Sequence, residues 1–248
     1  MLRFKLTIAY DGTRYFGWQV QKGRMTVQQR VEEALRELFP SVKRVHSSSR
    51  TDTGVHALGM VAHVDIPEAE CRMDARKLLL AVNSFLPVDV RIVAARRVPE
   101  DFHARFDAKG KRYFYLIWNH AAMNPLLHNR AWHVKVPLNL ERMQKAAKLF
   151  VGRKDFKSFA STREYEMEST VRRLTRCDVR KEGYTWKITI EGDGFLYKMC
   201  RGIVGTLVRV GQGKLTQTEI RQILRERDRS VAGMNAPACG LTLWRVFY

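Results

Sequence analysis

Acidic side chains are scarce in this 248-residue sequence: 25 Asp and Glu stand against 44 Lys and Arg, a formal charge of +19. Cysteine is scarce too. The four present, Cys71, Cys177, Cys200 and Cys239, lie far apart, with no C-x-x-C pair and no histidine at finger spacing. That argues against a zinc module and fits a reducing, cytoplasmic setting in which each is a small buried apolar side chain. Long apolar runs are missing. The longest, such as Leu78–Val82, fall far short of the roughly 18–20 residues that span a bilayer, and Arg3 and Lys5 interrupt the first apolar pattern. Neither a membrane span nor a secretory signal is expected. With only 16 Gly and 7 Pro the chain is not collagen-like, and 45% hydrophobic content excludes a disordered one.

What is abundant is positive charge, and it is unevenly placed. Residues 1–107 hold 17 Lys and Arg against 13 Asp and Glu, a net +4, whereas residues 108–248 hold 27 against 12, a net +15. Such an excess points to a polyanionic partner, because each neutralised phosphate releases condensed counterions. Charge alone does not separate a nucleic acid from an anionic membrane surface.

Two periodicities alternate along the chain. Phe4, Leu6, Ile8 and Tyr10 recur at every second position, which predicts a strand, and Asp11-Gly12 turns the chain. Thr26 and Gln29 form a capping-box pattern ahead of Val27, Val31, Ala34, Leu35 and Leu38, which predicts a helix that stops at Phe39-Pro40. A short strand near 42–47, a loop through 50–57, a strand over 59–66, a helix capped by Asp74 and a strand over 90–98 complete a β-α-β-β-α-β order. The second half repeats the order: a strand over 111–118, a helix over 138–150, and a hairpin of strands 171–180 and 184–191. A buried helix through Met199, Ile203, Leu207 and Val210, a helix capped by Thr216 and Glu219, and a strand over 241–248 follow. The expected fold is α+β, two ferredoxin-like split βαβ halves, 1–107 and 108–248, with mainly antiparallel sheets and a central cleft. Segments 119–137 and 152–170 lack periodicity and are expected to be long loops, the second polar and mobile.

The most informative stretch is Ser48-Ser49-Arg50-Thr51-Asp52-Thr53-Gly54-Val55-His56-Ala57, where small and polar residues separate two strands. Read blandly it is an Asx-turn with Gly54 at positive φ. Read chemically, Arg50 and Asp52 share a face of an extended segment, and the guanidinium would hold the carboxylate ionised. Asp52 has no acidic neighbour between Glu37 and Asp65. The clustered carboxylates that metal-dependent phosphodiester chemistry needs are therefore missing, and no metal site is expected. A lone carboxylate can act as a nucleophile, stabilise an oxocarbenium or abstract a proton.

Residues 49–57, Ser-Arg-Thr-Asp-Thr-Gly-Val-His-Ala, resemble the catalytic signature of pseudouridine synthases of the TruA type. Four further stretches agree in order: Tyr10-Asp11-Gly12 with Gly17-Trp18-Gln19; Asp101-Phe102-His103-Ala104-Arg105-Phe106; Lys111-Arg112-Tyr113; and Phe195-Leu196-Tyr197 through Gly205 with Gly240-Leu241. Ser49 stands where the family more often has Gly. The resemblance implies isomerisation of uridine at positions 38, 39 and 40 of transfer RNA, without cofactor or metal, by a homodimer. It implies Asp52 as nucleophile, Arg50 as its ion-pair partner and filler of the gap left by an extruded base, and Tyr113 stacked on the target uracil.

Other motifs say less alone. Trp18 reads as core, and of Tyr113 and Phe114 one must face the core. Phe195–Met199 reads as helix, from which Lys198 and Arg201 would reach substrate phosphates. His56, His63 and His103 lack ligand spacing, and the basic runs Arg153-Lys154 and Arg172-Arg173 read as a solvated face. A non-catalytic RNA-binding module and an RNA nuclease are the rival functions.

Overall fold

The structure, a computed structural model, describes residues 1–161 and 169–248. The chain divides into two compact units, Met1–Lys109 with Thr242–Tyr248, and Gly110–Leu241. Each is α+β with mainly antiparallel strands, as the alternating periodicities predict.

The first unit runs β1 (Leu2–Tyr10), α1 (Val27–Leu38), β2 (His46–Ser47), β3 (His56–Ile66), α2 (Ala75–Phe85) and β4 (Val90–Val98). Strand β1 lies between β3 and β4, antiparallel to both, and β2 pairs with the far edge of β3, the order of a split βαβ sheet. Phe4, Leu6 and Ile8 stand opposite Val64, Ala62 and Met60, and all six are buried. Val31 and Leu35 of α1 and Leu78 and Val82 of α2 are buried with them, at about 1.5–3 kcal/mol for each large aliphatic side chain. Thr26 and Asp74 cap the two helices, accepting from the N–H groups of Gln29 and Lys77. The strand expected over 42–47 shrinks to two residues, because the backbone before it is claimed by α1. The Arg36 guanidinium donates to the Val42 carbonyl, Gln28 to that of Val45, and the Val45 N–H donates to Glu32.

The second unit holds β5 (Gly110–Asn119), β6 (Trp132–Val134), α3 (Leu140–Ala147), β7 (Gly152–Asp155), β8 (Val171–Glu182), β9 (Thr185–Gly192), α4 (Met199–Gly211) and α5 (Gln217–Glu226). Its antiparallel order is β5-β9-β8-β7, with β6 parallel to β5. Neither aperiodic segment is wholly loop: the first contains β6 and a 3-10 turn at Pro125–Leu127, the second contains β7 and a 3-10 turn at Lys157–Phe159. The remainder of the second, 162–168, lies outside the described residues. Tyr113, Tyr115 and Ile117 of β5 face Ile190, Ile188 and Trp186 of β9, and all six are buried, as is nearly all of α4.

The last strand, β10 (Leu241–Phe247), departs from the expected 108–248 half. It runs parallel to β3, pairing Thr242 with His56 and Leu243 with Ala57, and its residues from Thr242 belong to the first unit. The Trp244 carbonyl approaches Gly59 so closely that a Cβ there would lie 2.4 Å away, and the Tyr248 hydroxyl donates to the Ala104 carbonyl at 2.6 Å. No helix among the described residues is long and apolar enough to cross a membrane.

Candidate active site

The segment carrying Arg50 and Asp52 bridges β2 and β3 and is fastened, atom by atom, to the chain that leaves β1. The Trp18 N–H donates to the Thr51 carbonyl at 3.2 Å, and the Gly54 N–H to the Tyr15 carbonyl at 3.3 Å. The Tyr10 and Thr51 hydroxyls are 2.8 Å apart. Two glycines make this approach possible. A Cβ on Gly12 would lie 2.0 Å from the Val55 carbonyl oxygen, and one on Gly17, whose φ is +82°, would lie 2.4 Å from that of Thr51. Buried His56 closes the corner, its Nδ1 at 3.1 Å from both the Gly12 nitrogen and Asp11 Oδ1.

The platform beneath is itself anchored. Asp89 takes the Tyr15 hydroxyl on one oxygen at 2.7 Å and Arg14 on the other at 2.6 Å, and its carbonyl accepts from Asp11 N–H. Burial alone would raise the Asp89 pKa, but the hydrogen bonds from Tyr15 and Arg14 outweigh it and hold the carboxyl below its usual range. Burial pushes the Tyr10 hydroxyl well above its ordinary range, so it stays protonated beside Thr51.

On this support the chain turns at residues 52–55. The turn is closed by Val55 N–H on the Asp52 backbone carbonyl at 3.1 Å, with Gly54 at φ +76°. The positive φ is as expected, and Asp52, at the start of the turn, is half-buried. Arg50, two residues before, is exposed.

Tyr113, Lys198 and Arg201 lie in the second unit. Of the Tyr113-Phe114 pair, Tyr113 is the buried member, its ring edge-on to Phe195 with centroids 5.1 Å apart, while Phe114 turns to the other face beneath Lys187. Phe195–Lys198 is not helical. Helix α4 begins at Met199, because Lys198 takes the left-handed conformation, φ +60°, and its carbonyl accepts the Gly202 N–H. Lys198 Nζ lies over the Tyr197 ring at 4.9 Å. Arg201, one turn on, donates to the Ala236 carbonyl at 2.7 Å. Tyr10, Thr51 and Phe195 were not singled out by their own patterns; only their place in the ordered motifs marks them, and nothing local marks Asp89.

Among the described residues no three His, Cys, Asp or Glu side chains are grouped to hold a metal ion. A carboxylate on a rigid, glycine-permitted loop, together with the residues around it, defines a class. Residues 6–107 and 146–248 match the family of tRNA pseudouridine synthases, and the chain belongs to that family of isomerases. Among relatives, the tRNA pseudouridine synthase A of Ruminiclostridium cellulolyticum is 45% identical over 249 residues, and that of Acetivibrio thermocellus 44% over 248, each alignment covering 100% of both chains. A solved chain titled as a Cbf5-Nop10-Gar1 complex aligns with 97% of this chain and 58% of its own, at TM-score 0.38 and 10% identity, too distant for the two folds to be equated.

Proposed function

We propose that the chain isomerises uridine to pseudouridine at positions 38, 39 and 40 of the transfer RNA anticodon stem-loop, with Asp52 as nucleophile. The observation that carries the reading is the 51–55 loop, whose backbone is held from Tyr15 and Trp18 and whose turn begins at Asp52. The reaction breaks the N-glycosidic bond, turns the uracil without letting it escape and joins a ring carbon to the sugar. A proton leaves that carbon and one is taken up by the ring nitrogen. One ionised carboxylate at the glycosidic carbon suffices as nucleophile.

A uridine in a stem must first leave the stack, at a cost of about a few kcal/mol. Stacking on Tyr113 offsets part of this, and exposed Arg50 fills the gap that remains. Lys198 and Arg201 take phosphates, and the basic second half holds the RNA backbone while the first supplies the carboxylate. The working form is a cytoplasmic homodimer that needs no cofactor.

The test is unmodified transfer RNA transcripts incubated with wild-type and Asp52→Asn protein, with pseudouridine mapped by position. Wild type is expected to modify 38–40. The variant is expected to bind as tightly and form none; turnover within about tenfold of wild type, roughly 1.4 kcal/mol in the barrier, rejects the nucleophile.

A further inference from the structure

The basic runs of the second unit do not lie apart in space. Strand β7 pairs with β8 so that Arg153 stands directly opposite Arg173 and Lys154 directly opposite Arg172. Like charges set across a ladder destabilise it, and here the arrangement occurs twice in succession. Among the described residues, the nearby carboxylates Asp155 and Asp193 have other partners. Asp155 takes the Lys157 N–H, the Thr170 hydroxyl and Arg227, and Asp193 takes the backbone N–H of Arg173. Among the described residues, none of the four cations is ion-paired.

Side chains alternate along a strand, so Arg153 and Arg173 emerge on one face of this edge and Lys154 and Arg172 on the other. Charge on both faces of an edge suits a polyanion laid along it better than a single bound anion. The edge is also tied to the candidate active site within its own unit. Arg173 and Asp193 are joined by two hydrogen bonds of 3.1 Å, Arg172 Nε would lie 3.4 Å from a Cβ on Gly194, and the next residue, Phe195, meets Tyr113 edge-on.

We infer that the β7–β8 edge, through Arg153, Lys154, Arg172 and Arg173, is a phosphate-binding rim that holds the substrate RNA backbone beside Tyr113. The inference rests on the transfer RNA reading and names the groups that would grip the substrate. These cations bring affinity and register; they do not choose the uridine.

The test compares wild type with Arg153→Gln/Arg173→Gln, Lys154→Gln/Arg172→Gln, and a control of equal charge loss, Arg76→Gln/Lys77→Gln, on exposed positions of α2. Transfer RNA affinity is measured across a salt series, and pseudouridine formation at saturating RNA. Each rim variant is expected to flatten the log affinity against log salt slope by about 1.5–2, the loss of two phosphate contacts. The control should leave the slope nearly unchanged. Rim variants that keep the wild-type slope, or a control that loses as much, overturn the inference while an active wild type leaves the transfer RNA reading standing. A wild type that binds transfer RNA but makes no pseudouridine removes that reading, and the slopes still decide whether the rim holds phosphates.

Discussion

At the scale of single residues, the geometry around Asp52 depends on groups with no chemistry of their own. Tyr10→Phe deletes the hydroxyl 2.8 Å from Thr51 Oγ1 and leaves the ring in place. It is expected to cost about 1 kcal/mol of stability, read by urea unfolding, and to slow single-turnover pseudouridine formation without weakening RNA binding. Gly12→Ala should be worse, because the new methyl must displace the Val55 carbonyl, 2.0 Å away, and with it the turn that presents Asp52. Its single-turnover rate is expected to fall below that of Tyr10→Phe. The sequence marks Asp52 as a candidate because a lone carboxylate among small polar residues is a local pattern. The contacts of Tyr10 and Gly12 leave no such mark, since they are made with residues some forty positions away.

At the scale of elements, capping is the most local signal: Thr26, Asp74 and Thr216 all stand as N-caps where their patterns place them. Thr216 and Glu219 form the full reciprocal box at α5, and Thr216→Ala should lower stability by about 1 kcal/mol in chemical unfolding, with RNA binding unchanged. Helix α4 is the opposite case. Its periodicity runs smoothly back toward Phe195, and only the backbone shows that Lys198 holds φ +60°, a conformation that costs a non-glycine residue about 1 kcal/mol. Lys198→Gly is therefore expected to leave thermal stability equal or higher while weakening transfer RNA affinity; a drop in both would mean that the side chain serves folding and not the substrate. Strands β6 and β7 escaped the sequence reading because three or four residues are too few for a period, and because β7 is polar, its partners supplied by β8.

At the scale of the whole molecule, stability should depend on pH through an imidazole. Burial, with Arg3 and His103 adding to it, lowers the His63 pKa from 6.5 to about 4, and the neutral ring accepts the Ala104 N–H at 3.1 Å on Nδ1. The unfolded chain takes up this proton at higher pH than the folded one. The contribution is thus complete above pH 6.5 and is lost as pH falls toward 4, amounting to on the order of 2 kcal/mol across that window. Urea midpoints at pH 7.5 and 5 should differ for wild type and converge for His63→Asn, which keeps an acceptor near Ala104 and cannot titrate. The placement of β10 is where the fold departs from the order of the sequence. The repeated strand-helix order assigns it to the half that precedes it in sequence, whereas its hydrogen bonds to β3 place it in the first unit. That placement bears on how the protein is made. The edge of β3 at His56 and Ala57 waits for residues that leave the ribosome only after all of 110–241 has been synthesised, so the second unit has the opportunity to fold first. A nascent chain that stopped before residue 242 would carry a second unit able to fold and a first-unit sheet in which His56 and Ala57 of β3 lack their β10 partners.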